Sequence, residues 1–268
     1  MTKTHIGGSV AFAATLFGSG GEPSSDCRCR PRLRTPIGQR KARDFSRRAV
    51  DSAVRVDSKE TAASWEVNAA LREAELGNRV AARQGVAAAL VLSPGRDVKV
   101  VAALTLARLG DVARAKVLAE ELDKSYPTNT MLRLYWLPTI NAALELSEGN
   151  WSKATVLLDA AAPYEQGSPP PLQLGTLYPA YLRGQANMLG HNGSAAVAEF
   201  QKLLDAKGIV QNFVTGALSH LQIGRAYAMA GDTAKAKAAY EDYLVLWKDA
   251  DPDIPILKQA KAEYAKLQ

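Results

Sequence analysis

The chain has 268 residues, 47% hydrophobic and 22% charged, which excludes wholesale disorder. Only 7% are aromatic and alanine dominates, a mix that favours packed helices over a β-sandwich or barrel. The net charge of +6 is uneven, since residues 1–50 hold 10 Lys/Arg against 3 Asp/Glu and the remainder hold 23 against 24; a neutral body without a basic stripe is a poor binder of nucleic acid, which is not expected as the partner and would have to use the basic arm.

Residues 1–38 read as a basic leader, disordered or foreign to the rest. A short apolar run, Ile6 to Gly18, is diluted by Gly7, Gly8 and Ser9 and is only a weak imitation of a signal peptide. Export is therefore the alternative to a cytoplasmic location, if residues 1–20 act as a signal. Cys27 and Cys29 stand without a cluster of further ligands, so no metal site is expected. From Cys27 to Pro36 every second residue or so is Arg or Pro, which prevents a helix and sets like charges against each other. No stretch approaches the roughly 18 consecutive apolar residues that a membrane span requires.

Residues 39–268 are repetitive. A helix over 39–54 comes first, with Ala42 and Ala49 on one stripe and Phe45 expected in the core. Five helix pairs follow: 60–76 with 79–92, 97–109 with 112–125, 130–148 with 151–162, 176–190 with 194–206, and 212–230 with 233–247. Each pair is joined by a turn, Gly77-Asn78, Gly110-Asp111, Gly149-Asn150, Gly190-His191-Asn192-Gly193 or Gly231-Asp232. A left-handed glycine stops the first helix and an Asx side chain caps the second. A small anchor follows each turn (Ala82, Ala115, Ala154, Ala196, Ala236), and residues four and seven further on continue one apolar stripe. Such pairs cannot bury both faces alone and stack into a solenoid. A helix over 254–267, capped by Asp253, closes the stack with a stripe of Ile256, Leu257, Ala260, Tyr264 and Leu267.

The spacing of turn, anchor, aromatic and proline is similar to the tetratricopeptide repeat. Gly184 and Gly224 match its small first-helix position, and Phe200 and Tyr240 match its second-helix aromatic. Tyr243 departs from the usual small residue, and Pro252 comes late. The segments 42–50, Tyr135-Trp136-Leu137-Pro138, 177–184 and 246–257 further resemble the C-terminal repeat region of bacterial, chiefly acidobacterial, eukaryotic-like serine/threonine protein kinases. The resemblance covers residues 40–268 and implies an all-α fold, a right-handed superhelical solenoid with a C-terminal capping helix. It also implies that residues 39–50 are the second half of a repeat whose first helix is missing, as if the chain were the end of a longer protein.

The chemistry of a kinase is absent from this sequence. There is no Gly-rich loop before a strand, no strand lysine and no His-Arg-Asp loop, and Asp44-Phe45-Ser46 lies on a helix with no lobe before it. His5, His191 and His220 share no ligand spacing, and no Gly-x-Ser-x-Gly elbow occurs. No cofactor and no catalytic residue are expected. The function expected is a non-catalytic scaffold of a signalling protein, binding a protein or peptide; the alternative is a truncated kinase lacking its catalytic domain. In the family the first helices line a concave groove. The resemblance therefore implies contact residues Trp136, Tyr178, Tyr181, Gln185, Met188, Arg225 and Met229, with Val67, Leu71, Val100, Leu104, Arg108 and Leu221 on the same faces.

Overall fold

The computed structural model describes residues 38–167, 177–211 and 213–267. The leader expected over 1–38 lies, but for its last residue, outside the described residues, as does the proline triplet at 169–171. The described residues are helical and contain no strand. In chain order the helices are α1 (Gln39–Arg55), α2 (Lys59–Glu75), α3 (Arg79–Leu92), α4 (Arg96–Arg108), α5 (Val112–Ser125), α6 (Leu137–Ser147), α7 (Trp151–Asp159), α8 (Tyr178–Leu189), α9 (Gly193–Asp205), a short α10 (Lys207–Val210), α11 (Val214–Met229), α12 (Thr233–Leu246) and α13 (Pro255–Ala265).

Two elements differ from the sequence expectation for a nameable reason. The helix expected over 130–148 opens with a π turn, Leu132–Trp136. Pro138 has no N–H for the usual bond back along the helix, and its ring crowds the carbonyl before it. The wider turn, in which the Leu137 N–H donates to Leu132, relieves both. α7 ends early because Pro163 follows, and Ala162–Tyr164 forms a 3-10 turn instead.

The helices assemble as five antiparallel pairs, each joined by a tight turn. Gly77, Gly110, Gly149 and Gly231 are all left-handed, with φ of +87°, +70°, +82° and +79°. In the fourth pair His191 takes that conformation, at φ 57°, because it stands where the other turns have their glycine, five positions before the anchor; Gly190, one residue earlier, lies against Trp151, where an added Cβ would meet the indole at 3.0 Å. The five anchor alanines are completely buried. Asx capping is realised once: Asp232 accepts from the Lys235 N–H at 3.1 Å. Asn78, Asp111, Asn150 and Asn192 occupy the cap position without making that bond. Asp111 is drawn instead to Arg114, and Asn150 donates to Glu145 at 2.8 Å.

The stack turns tightly enough to meet itself. Successive first helices α2, α4, α6, α8 and α11 pack side by side, and α11 returns to touch α2. α13 follows α12 and reaches the α2–α3 turn, where the Ile256 N–H donates to Leu76 O at 3.4 Å and Pro255 lies against Gly77. Leu76 accordingly shares a core with Ile254 and Leu257. Asp253 does not cap α13, whose N-cap is Ile254. It faces Arg40, and neighbouring Asp251 accepts from the Arg40 N–H at 2.7 Å, capping α1 from 211 positions away. Phe45 does not enter the core but stands exposed on α1. Arg183, buried, donates to Leu158 O and to Glu165 and Glu199, tying the end of α7 and the turn after it to α8 and α9.

Candidate functional site

The expected groove residues sit on the inner sides of the first helices, and tight closure turns most of them inward on one another. Val67, Leu71, Val100, Leu104 and Leu221 are buried, as are Trp136, Tyr178 and Tyr181. Gln185, Met188 and Arg225 keep partial access, and Met229 is exposed. The structure brings Tyr178 and Tyr181 together, with ring centroids 6.0 Å apart, and sets Tyr181 edge-on to Phe200.

These tyrosines surround a charged centre absent from the sequence expectation. Glu75, the last residue of α2, is gripped by the Arg108 guanidinium, Nε donating at 2.7 Å and Nη2 at 3.2 Å. The Tyr178 hydroxyl donates to the same carboxylate. Gln222 Nε2 donates to the Tyr181 hydroxyl at 3.3 Å. Burial, reinforced by the Glu75 charge, pushes both tyrosine hydroxyls well above their ordinary range. Burial works against the Arg108 charge, but Glu75 outweighs it and holds the guanidinium more firmly protonated than usual. A carboxylate whose oxygens already accept from an arginine and a tyrosine is not poised as a base. The centre is a pin that locks α2, α4 and α8 together. Nothing local could signal it, since Glu75 and Tyr178 are 103 positions apart.

Arg225 is likewise engaged. Its guanidinium pairs with Glu263 of α13 through bonds of 2.8 and 2.9 Å, and Tyr240 donates to the same carboxylate at 2.9 Å. It holds the closing helix in place rather than standing ready in a groove.

A small cavity of about 100 Å³ opens where α4 begins, lined by Arg96, Asp97, Val100, Asn129, Met131, Leu132 and Trp136. Its polar rim is internally neutralised, since Arg96 Nε donates to Asp97 at 2.7 Å and the Arg96 guanidinium lies 5.9 Å from the Tyr126 ring centroid. The Asn129 side chain accepts from the Leu132 N–H at 2.9 Å and fixes the start of the π turn. Val100 and Trp136 were legible as inward-facing residues. Asn129 and Met131 were not, because they belong to the turn that Pro138 reshapes.

Among the described residues no group of three or more His, Cys, Asp or Glu could hold a metal ion, and no helix is long and apolar enough to cross a membrane. No protein-family model matches the chain, and no curated protein sequence does. Among solved structures the chain is similar to yeast Tom70, with 15% identity and a TM-score of 0.49 over 81% of this chain and 42% of that one.

Proposed function

We propose that this chain is a non-catalytic protein-interaction scaffold that takes a peptide segment of a partner protein. The observation that carries this reading is the cavity beside Trp136, an accessible, mostly apolar recess on the inner side of a helical-repeat stack whose buried charges are otherwise consumed in closed pairs. Engineered cavities of roughly 150 Å³ admit benzene, so this volume suits a branched aliphatic side chain or a proline. The groove residues that keep access and are not tied up in an ion pair, Gln185, Met188 and Met229, are the proposed contacts on the later repeats.

The test is to select peptides from a random display library on the full chain and compare them on Met131→Trp, which fills the recess from its half-exposed wall. Selected peptides should lose roughly tenfold or more in affinity, the scale of one apolar anchor, while the melting temperature stays put. Peptides indifferent to Met131→Trp would remove the cavity from the site.

The signalling and kinase-associated setting is proposed on the four sequence segments named above, and a cytoplasmic location on the weakness of the apolar run at residues 6–18. With ATP the purified chain should transfer no phosphate; stoichiometric autophosphorylation that survives repurification would overturn the non-catalytic reading.

A further inference from the structure

Among the described residues α1, a second helix by the repeat register, is preceded by no first helix of its own pair, and packs against the first helix α2 that follows it. In the five complete pairs the anchor alanine and the residues four and seven further on are sealed: Ala82, Val86 and Ala89; Ala115, Ala119 and Leu122; Ala154, Leu158 and Ala161; Ala196, Phe200 and Leu203; Ala236, Tyr240 and Tyr243. The same register in α1 is Ala42, Ser46 and Ala49, and all three keep solvent access. On the same stripe Phe45 is 41% exposed and Val56 74%.

The adjoining face of α2 is open in the same way. Trp65 is 43% exposed, whereas the residues equally far ahead of the anchor in the next four first helices, Val98, Leu137, Pro179 and Ser219, are buried. Among the described residues α2 is the helix that packs extensively along α1, and Phe45 on the one and Trp65 on the other are left exposed.

Charge says what kind of helix would cover them. α1 holds six basic residues against two acidic ones. Arg40, Arg43 and Arg47 are paired with Asp253, Glu73 and Asp44. The remaining three, Lys41, Arg48 and Arg55, recur every seven residues and so share one flank of the open stripe. All three are exposed, and none has an acidic partner among the described residues. The chain's own leader is a poor match, because Arg28, Arg30, Arg32 and Arg34 would face this row with like charge and Pro31 interrupts any helix.

We propose that the α1–α2 end face takes an amphipathic helix with an acidic flank, supplied by a separate protein, whose apolar stripe covers Ala42, Phe45, Ala49 and Trp65 while its carboxylates meet Lys41, Arg48 and Arg55. Exposed aromatics give the contact its anchors, and the cation row fixes its direction and partner choice. This surface is separate from the recess at Trp136.

The test uses the full chain and two synthetic helical peptides of about five turns, the length of α1. Both carry the same Leu/Ala stripe, one flanked by Glu and the other by Lys. The Glu-flanked peptide should bind roughly tenfold or more tightly than its Lys counterpart, as expected for three rim ion pairs. Phe45→Asp should abolish the binding. The triple reversal Lys41→Glu, Arg48→Glu, Arg55→Glu should exchange the preference for the Lys-flanked peptide, which a merely misfolded variant could not do. Met131→Trp should leave binding unchanged, which separates this surface from the groove reading. Equal affinity for the two peptides, or refusal of both by the full chain, would overturn the proposal. So would a dimer in sedimentation that Phe45→Asp dissociates, since a second copy would then be the occupant.

Discussion

The first three helix pairs and the last two solve the same packing problem with different volumes. At the crossing of each pair a first-helix residue faces the second-helix stripe. In the early pairs it is Ala70, Ala103 or Ala142, set in a core mainly of Val, Leu and Ala whose rings, Tyr135, Trp136 and Tyr178, all come from first helices or the turn before them. In the late pairs it is Gly184 against Phe200 and Gly224 against Tyr240, in a core that also holds Tyr181, Tyr243 and Trp247. A Cβ added at Gly184 would lie 2.5 Å from the Phe200 ring, and one at Gly224 would lie 2.9 Å from Tyr240. Each crossing sets a small first-helix residue against the second-helix stripe. Volume moves from one helix to the other within it, so an anchor motif can persist while its neighbours change size.

Exchanging volumes is the sharpest way to break that comparison. Gly184→Ala should cost about 1–3 kcal/mol by overpacking, despite the better helix propensity of alanine. Adding Phe200→Leu should restore most of the loss in denaturant titrations. The mirror change in an early pair, Ala142→Gly with Leu158→Phe, should then be tolerated far better than Leu158→Phe alone. If the single and double variants at 184 and 200 melted alike, the two residues would not share one space.

A smaller effect should appear at high pH. Burial raises the Tyr243 hydroxyl above its ordinary value of 10.0, and its buried oxygen has no hydrogen-bond partner among the described residues. A raised folded-state pKa contributes stability that is complete below pH 10 and is lost as pH climbs through the folded value. Tyr243→Phe should therefore flatten the alkaline decline seen in melting curves, at a neutral or slightly favourable cost near pH 7. A steeper decline would mean that the hydroxyl is satisfied.

The smallest difference lies in the turns. Asp232→Ala removes a cap bond that is made and should lower the melting temperature by about 2 °C. Asn78→Ala removes one that is not made and should lower it less. Equal drops would show that the Asx residues act alike in both regions.

The repeats were legible because each turn writes its own punctuation: a left-handed glycine, a small anchor, and apolar residues four and seven further on. Those constraints are local, and the helices fall where they place them. The groove was legible only as a set of faces. That Trp136, Tyr178 and Tyr181 would be sealed depends on how the first helices close on one another, and the Glu75–Arg108–Tyr178 pin that ties α2, α4 and α8 joins residues remote in sequence. Phe45 failed in the opposite direction. Its stripe was read correctly as apolar, but burial needs a second surface, and among the described residues none covers it. Capping was half legible, since Asx marks where a helix starts without fixing where its side chain turns.

The bond from the Arg40 N–H to Asp251 has a consequence in time. Gly38, at the start of α1, has no side chain to cap the helix, and the carboxylate that does so is 211 positions downstream. A ribosome emits residues in order, so α1 emerges with its first turn open and stays so while all five pairs are made. The early pairs can stack as they appear, each against the one before. α1, made before every one of the pairs, is therefore among the last helices to be finished.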